Sequence, residues 1–173
     1  MPRLSARVVA LALIGLSSSA FAHVTAHPAS GAADSYFETA FNVPHGCDGS
    51  STVAVRIKIP EGVMSVKPQF KAGWTVTIKK RTLDAPVRVA HGRTITETVD
   101  EVDWEGGPLP DSMYDSFGML MKLPGTAGVT LYFPVVQECQ QGVHRWIEIP
   151  PPGKGWSDMR EPPPFVKVVP ATP

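Results

Sequence analysis

The chain has 173 residues, with 16 basic and 16 acidic side chains and a formal charge of zero. It carries no Lys/Arg cluster of the kind a nucleic-acid or anionic-membrane binder needs. Its 18 prolines and 15 glycines punctuate it too often for long helices, and its length supplies one sizeable core rather than two.

The N-terminus reads as a secretory leader. Arg3 and Arg7 form a positive start, Val8–Leu16 an apolar stretch too short to span a bilayer comfortably, and Ala20-Phe21-Ala22 a small-x-small cleavage site. An uncleaved anchor helix is the alternative. A cut after Ala22 leaves a chain of 151 residues that begins at His23 and places it in the periplasm or outside the cell, with a formal charge of −2. No second apolar stretch of spanning length follows, so the processed chain is expected to have no membrane span.

Alternation with a period of two dominates the rest. Tyr36–Val43 is β-rich. In Thr52–Ile59, Val53, Val55, Ile57 and Ile59 share one face, the pattern of a half-buried strand, and Pro60-Glu61-Gly62 closes it. Trp74, Val76 and Ile78 alternate in the next strand. Between Thr94 and Trp104 the apolar phase slips, which predicts a bulge near Asp100-Glu101, and Gly106-Gly107-Pro108-Leu109-Pro110 is expected to end that strand. Val129–Val136 is a further strand, at an edge or a bulge because of Pro134. Gly142–Ile149 is the last, with Val143, Arg145, Ile147 and Ile149 on one face and His144, Trp146 and Glu148 on the other. About seven short strands with frequent turns predict an all-β domain over 23–150, an antiparallel β-sandwich of immunoglobulin or cupredoxin type. Eight of the last 24 residues are proline, so 151–173 is expected to be an extended or disordered tail that Trp156 or Phe165 would clamp to the sandwich.

Two cysteines, Cys47 and Cys139, are expected to pair in an oxidising compartment, with a pair of thiolate metal ligands as the alternative.

His23 gives the processed chain its distinctive chemistry. A first-residue histidine has an α-amine with a pKa of about 8 and an imidazole with one of about 6.5, so both lose a proton near neutral pH. The amine and Nδ1 can then chelate one ion, and two nitrogens in a tetragonal site suit Cu(II). The bland alternative is that some residue must follow a cleavage site. His45 and His91 lie in turns and read as solvated, and His144 lines a site or simply decorates a strand. Met113, Met119 and Met121 are either soft donors to Cu(I) or core fillers.

At these residues the chain resembles the YcnI-like copper-binding domain family. The likeness rests on His23-Val24-Thr25, Asn42-Val43-Pro44-His45-Gly46-Cys47, Pro60-Glu61-Gly62-Val63, Gly73-Trp74, Trp104-x-Gly-Gly, Phe133-Pro134-Val135-Val136-Gln137 and Arg145-Trp146, across most of 23–150. The resemblance implies a β-sandwich outside the cytoplasm that binds Cu(II) through a single-histidine brace. His23 is the chelate it implies. It also implies a carboxylate ligand, with Asp115 first and Glu97 and Glu148 behind it, and a tryptophan beside the metal, Trp146 or alternatively Trp104. The function expected is capture, storage or delivery of copper, with other copper-handling proteins as partners, and no catalysis. Two alternatives remain: a metal-free adhesion or assembly module working through its tail, and a copper monooxygenase with His144 as a second brace histidine.

Overall fold

In a computed structural model, residues 23–89 and 92–171 are described. The expected leader, its cut after Ala22, and His91 lie outside them.

Three sheets surround one core. The first joins β1 (Thr25–His27), β3 (Tyr36–Val43), β8 (Asp115–Lys122) and β5 (Met64–Pro68) in the order β1-β3-β8-β5. The second joins β11 (Val143–Trp146), β10 (Val135–Cys139), β4 (Thr52–Lys58), β7 (Thr94–Leu109) and β6 (Trp74–Arg88) in the order β11-β10-β4-β7-β6. The third is small: β2 (Ser30–Ala32), β12 (Phe165–Val169) and β9 (Thr130–Tyr132). Both large sheets are antiparallel throughout. Their inner faces meet in a core of Val24, Phe41, Val43, Val55, Ile57, Val102, Trp104, Phe117, Phe133, Val135 and Trp146. This is the β-sandwich that the alternation predicts. Met119 and Met121 are buried in it, so these two are core fillers. Among the described residues no helix is long and apolar enough to cross a membrane.

Several strand ends differ from the sequence reading. The bulge falls where expected: Lys79 pairs with Glu101 and Lys80 with Val99, which leaves Asp100 as the extra residue. Gly106-Gly107-Pro108-Leu109-Pro110 does end its strand, but at Leu109 rather than at the glycines. β7 runs on to Leu109, which pairs with Thr52. Gly106 and Gly107 have φ of +146° and +78°, and a Cβ on Gly106 would collide with the Gly73 carbonyl, so two glycines carry the strand past Trp74 where other residues could not.

Val129–Val136 is two strands rather than one. Proline has no N–H for a ladder, and at Pro134 the chain leaves the third sheet, where β9 lies, and enters the second as β10. The strand expected over Gly142–Ile149 shortens to β11, and its inward face is the less apolar one: Trp146 is buried while Val143, Ile147 and Ile149 are exposed.

The largest correction concerns the boundary at Pro150. Residues 165–169 are not tail but strand β12, parallel to β2 and antiparallel to β9, with Val166 and Val168 buried. Pro162, Pro163 and Pro164 are buried as well. Alternation over only five residues, behind a proline run, is too short a signal to separate from extended coil.

Candidate metal centre

His23 lies immediately before Val24, a fully buried residue at the start of the first sheet. Its ring packs against two indoles. Trp146 meets it edge-on at 5.6 Å between centroids, and Trp156 meets it edge-on at 4.9 Å. Its Nε2 lies 3.2 Å from the carbonyl oxygen of Arg160. A carbonyl can only accept, so Nε2 must carry the proton and donate it, and the neutral ring then presents Nδ1 as its lone pair.

Trp146 is the pivot of this end of the sandwich. His144 tilts against it at 4.9 Å and His45 approaches at 6.5 Å. The rings of His45 and His144 lie 5.8 Å apart. Sequence separation hides this gathering: His23, His45 and His144 come from three parts of the chain, and the register of β1 on β3 and of β11 on β10 brings them together. His45, expected in a solvated turn, and His144, expected to line a site or decorate a strand, both pack against Trp146, and His45 keeps its own local contact, donating Nδ1–H to the Gly46 carbonyl at 2.6 Å.

The indole is set by Gln137, a residue that the sequence reading did not single out. Gln137 is fully buried. Its Oε1 accepts Trp146 Nε1–H at 3.0 Å, and its Nε2 donates to the His45 carbonyl at 2.6 Å and to Thr52 Oγ1 at 2.8 Å. The available signal was a glutamine on the inward parity of β10, between Val135 and Cys139. A buried amide needs partners, so it marks a polar junction inside the core.

A disulfide joins Cys47 to Cys139 and ties the His45 turn to β10. Gly46 donates its N–H to Asp111 Oδ1 at 3.0 Å, and any Cβ on Gly46 would collide with the Ser50 carbonyl. The backbone approaches so closely there that only glycine fits.

The expected carboxylates fall in different places. Asp115 opens β8 opposite Val43, accepts Lys71 Nζ at 2.6 Å, and takes the Ser116 N–H on Oδ1 at 2.8 Å. Glu97 sits opposite Thr82 on the long hairpin and pairs with Lys80. Glu148 accepts the N–H groups of Arg160 and Glu161 on Oε2 at 3.0 and 3.3 Å, on the segment whose carbonyl meets His23. Trp104, the other tryptophan considered, is a fully buried core residue packed on Phe117 at 5.5 Å. Met113 is exposed.

Among the described residues no three His, Cys, Asp or Glu side chains gather closely enough to form a ready cation site. What fits copper here is the donor chemistry of one residue: an imidazole with its Nε2–H committed to a carbonyl has Nδ1 left for a metal, the pattern of outer-sphere partners around ligating histidines. A cleft of about 440 Å3 under the β6–β7 hairpin, lined by Tyr36, Met64, Val87, Arg88, Arg93 and Lys122, shares no residue with this cluster.

The crystal structure of an uncharacterized protein from Nocardia farcinica with an immunoglobulin-like fold is similar to this chain, with a TM-score of 0.62 and 24% identity over 85% of this chain and 98% of that one. The likeness shows the fold: an immunoglobulin-like β-sandwich. A search of curated proteins found no match. The model of a domain of unknown function, DUF1775, matches residues 23–168, which begins at His23 and reaches into β12. The chain therefore belongs to the DUF1775 family, the group to which the YcnI-like proteins belong.

Proposed function

We propose that this chain is an exported copper-binding protein that takes up Cu(II) through His23 after cleavage behind Ala22, and that it captures, stores or delivers the ion to other copper-handling proteins. One observation carries the reading: His23 donates Nε2–H to the Arg160 carbonyl, so Nδ1 is the nitrogen left for a metal. In the processed chain Nδ1 and the new α-amine belong to one residue and close one chelate, in the tetragonal nitrogen setting that Cu(II) favours. The bound ion would supply a site for one-electron exchange, while the protein supplies nitrogen donors and an indole wall that limits access of water.

A further ligand is a carboxylate. Asp115 would have to give up Lys71 to serve, whereas Glu148 already reaches Arg160, the residue that His23 touches. The folding of β12 into a sheet takes away the free tail on which an assembly module would depend.

The test is a Cu(II) titration of protein beginning at His23 and of protein with one extra N-terminal residue. The expected outcome is stoichiometric binding by the first and weakening by several orders of magnitude in the second, since an amide nitrogen does not replace the amine. Equal binding by both sinks the reading. In the His23-first background, Asp115→Asn and Glu148→Gln identify the carboxylate by which of them shifts the Cu(II) electron paramagnetic resonance spectrum. Ascorbate-dependent cleavage of a polysaccharide by the loaded protein would instead favour an enzyme.

A further inference from the structure

The segment from Pro150 to Pro164 runs across the end of the sandwich as a strap, and its contacts converge on His23. Trp156 stands edge-on to the His23 ring at 4.9 Å. Its own Nε1–H is anchored to the Pro163 carbonyl at 2.7 Å. Arg160 offers its carbonyl to His23 Nε2. The strap is fastened on both sides of these groups. Glu161 accepts His144 Nδ1 at 2.8 Å and the Arg145 N–H at 3.2 Å. Glu148 accepts the N–H groups of Arg160 and Glu161, and Glu148 N–H donates to the Glu161 carbonyl at 3.1 Å. Beyond the prolines, Phe133 N–H donates to the Pro164 carbonyl at 2.9 Å and β12 locks the end into a sheet.

We propose that this strap is a positioning device for the histidine ligand: Trp156 and the Arg160 carbonyl fix the tautomer and rotation of the His23 imidazole, so that Nδ1 rather than Nε2 faces the ion. The inference rests on the copper reading, and its first prediction needs no copper. An imidazole free in water populates both tautomers and several rotations. One whose Nε2–H is bonded to a fixed carbonyl, with two indoles packed against it, has one tautomer and one orientation before metal arrives. Pre-ordering of that kind raises affinity by removing the cost of organising the ligand on binding, and outer-sphere partners of metal-bound histidines are typically worth 10–100-fold in affinity. Only the five-membered chain of atoms through Nδ1 allows amine and ring of one residue to bind the same ion without strain. The strap therefore holds ready the one nitrogen that can chelate together with the amine.

The experiment uses metal-free protein beginning at His23 with 15N-labelled histidine, at a pH of about 8.5, where an ordinary imidazole is neutral. Two-bond 1H–15N correlation spectra assign the tautomer. The wild type is expected to show His23 as a single Nε2–H form. Trp156→Ala is expected to show a mixture, to bind Cu(II) about tenfold more weakly, and to give a broadened copper resonance spectrum, while Trp156→Phe, which restores a ring against His23, recovers most of the affinity. A wild-type His23 protonated at Nδ1, or a tautomer mixture in the wild type, overturns the proposal even if Trp156→Ala folds poorly. So does a well-folded Trp156→Ala variant with wild-type tautomer, affinity and spectrum. Failure of the wild type to bind copper would refute the function proposed above and leave the tautomer result to stand on its own.

Discussion

At one edge of the five-stranded sheet, β11 has four residues and is overlaid by the strap; at the other, β6 has fifteen and lies open to solvent. The two edges solve the same problem, an unpaired row of backbone N–H and C=O groups, by different means. The long edge uses charge. Lys79, Lys80 and Arg81 lie along β6, and Lys79 pairs with Glu101 and Asp103 while Lys80 pairs with Glu97, the pattern that discourages pairing with another chain. The short edge is covered by the chain itself, with Glu161 capping the Arg145 N–H. The outer face of the same sheet continues the charged pattern: Arg56 meets Asp103, Glu105 and Glu138 at 3.0, 2.7 and 2.9 Å.

The contrast is one of interaction density. Around Trp146, the buried Gln137 amide holds the indole N–H, the His45 carbonyl and Thr52 Oγ1 away from water. Along β6, Lys79 and Lys80 are 49% and 62% exposed, so a lost partner there is exchanged for solvent. Substitutions should therefore be costly at the strap end and mild on the charged face.

The largest effect is expected from opening the disulfide. The bridge spans 92 residues of sequence, and the chain-entropy model assigns a loop of that length about 4–5 kcal/mol. Paired Cys47→Ser and Cys139→Ser substitutions should lower the unfolding free energy in urea by that order, and a loss below about 1 kcal/mol would break the comparison at its strongest point.

Next comes Gln137→Leu. It keeps the volume but leaves Trp146 Nε1–H, the His45 carbonyl and Thr52 Oγ1 without the partner each now has. At about 1–3 kcal/mol for a buried group left unsatisfied, a loss of about 3 kcal/mol is expected, with a shift in tryptophan fluorescence. An unchanged midpoint and spectrum would show that Trp146 is held by packing alone.

The strand beyond the strap gives a paired test. Val166 is fully buried and Val169 is 41% exposed. Val166→Ala should cost about 2 kcal/mol by analogy with other buried aliphatic truncations, and Val169→Ala less than about 0.5 kcal/mol. Equal small effects at both would return residues 165–169 to the status of a tail.

The smallest effect is electrostatic and shows its sign in acid. The Arg56 guanidinium, hydrogen-bonded to Glu138, holds that carboxyl below its ordinary value of 4.5. Because the folded value is the lower one, this contribution is complete above the unfolded value and fades as pH falls through the folded one. Arg56→Met should therefore flatten the acid side of the stability–pH curve below about pH 4.5 while changing the neutral region little, since Glu105 and Glu138 are partly in water and screened and buried Asp103 keeps Lys79 as a partner. A variant with the same acid limb as wild type would show that the ion pairs of this face contribute nothing measurable.

How much of this was legible beforehand depends on the range of the signal. The alternation in β3 and β4 and the phase slip at Asp100 are local patterns, and each reappears in the structure within a residue or two. Two cysteines in a chain whose N-terminus reads as a secretory leader point to the bridge that is present. By contrast, the proline run before β12 reads as a tail, Pro134 reads as an edge or bulge rather than a change of sheet, and the inward parity of Gln137 does not name its partners. In each case a partner distant in sequence decides the residue's role.

The His23 site divides along the same line. A sequence read by itself places a histidine behind a cleavage motif and points to a β-sandwich, because such motifs, turns and side-chain alternation are all written in neighbouring residues; the family resemblance implies Trp146 as the indole beside it. Only the tertiary structure brings Trp156 and the Arg160 carbonyl onto His23, across separations of 133 and 137 residues. It also commits Asp115 to Lys71 and bonds Glu148 to the strap. Which nitrogen of an imidazole is free depends on what the other one touches, and no stretch of neighbouring sequence contains that contact.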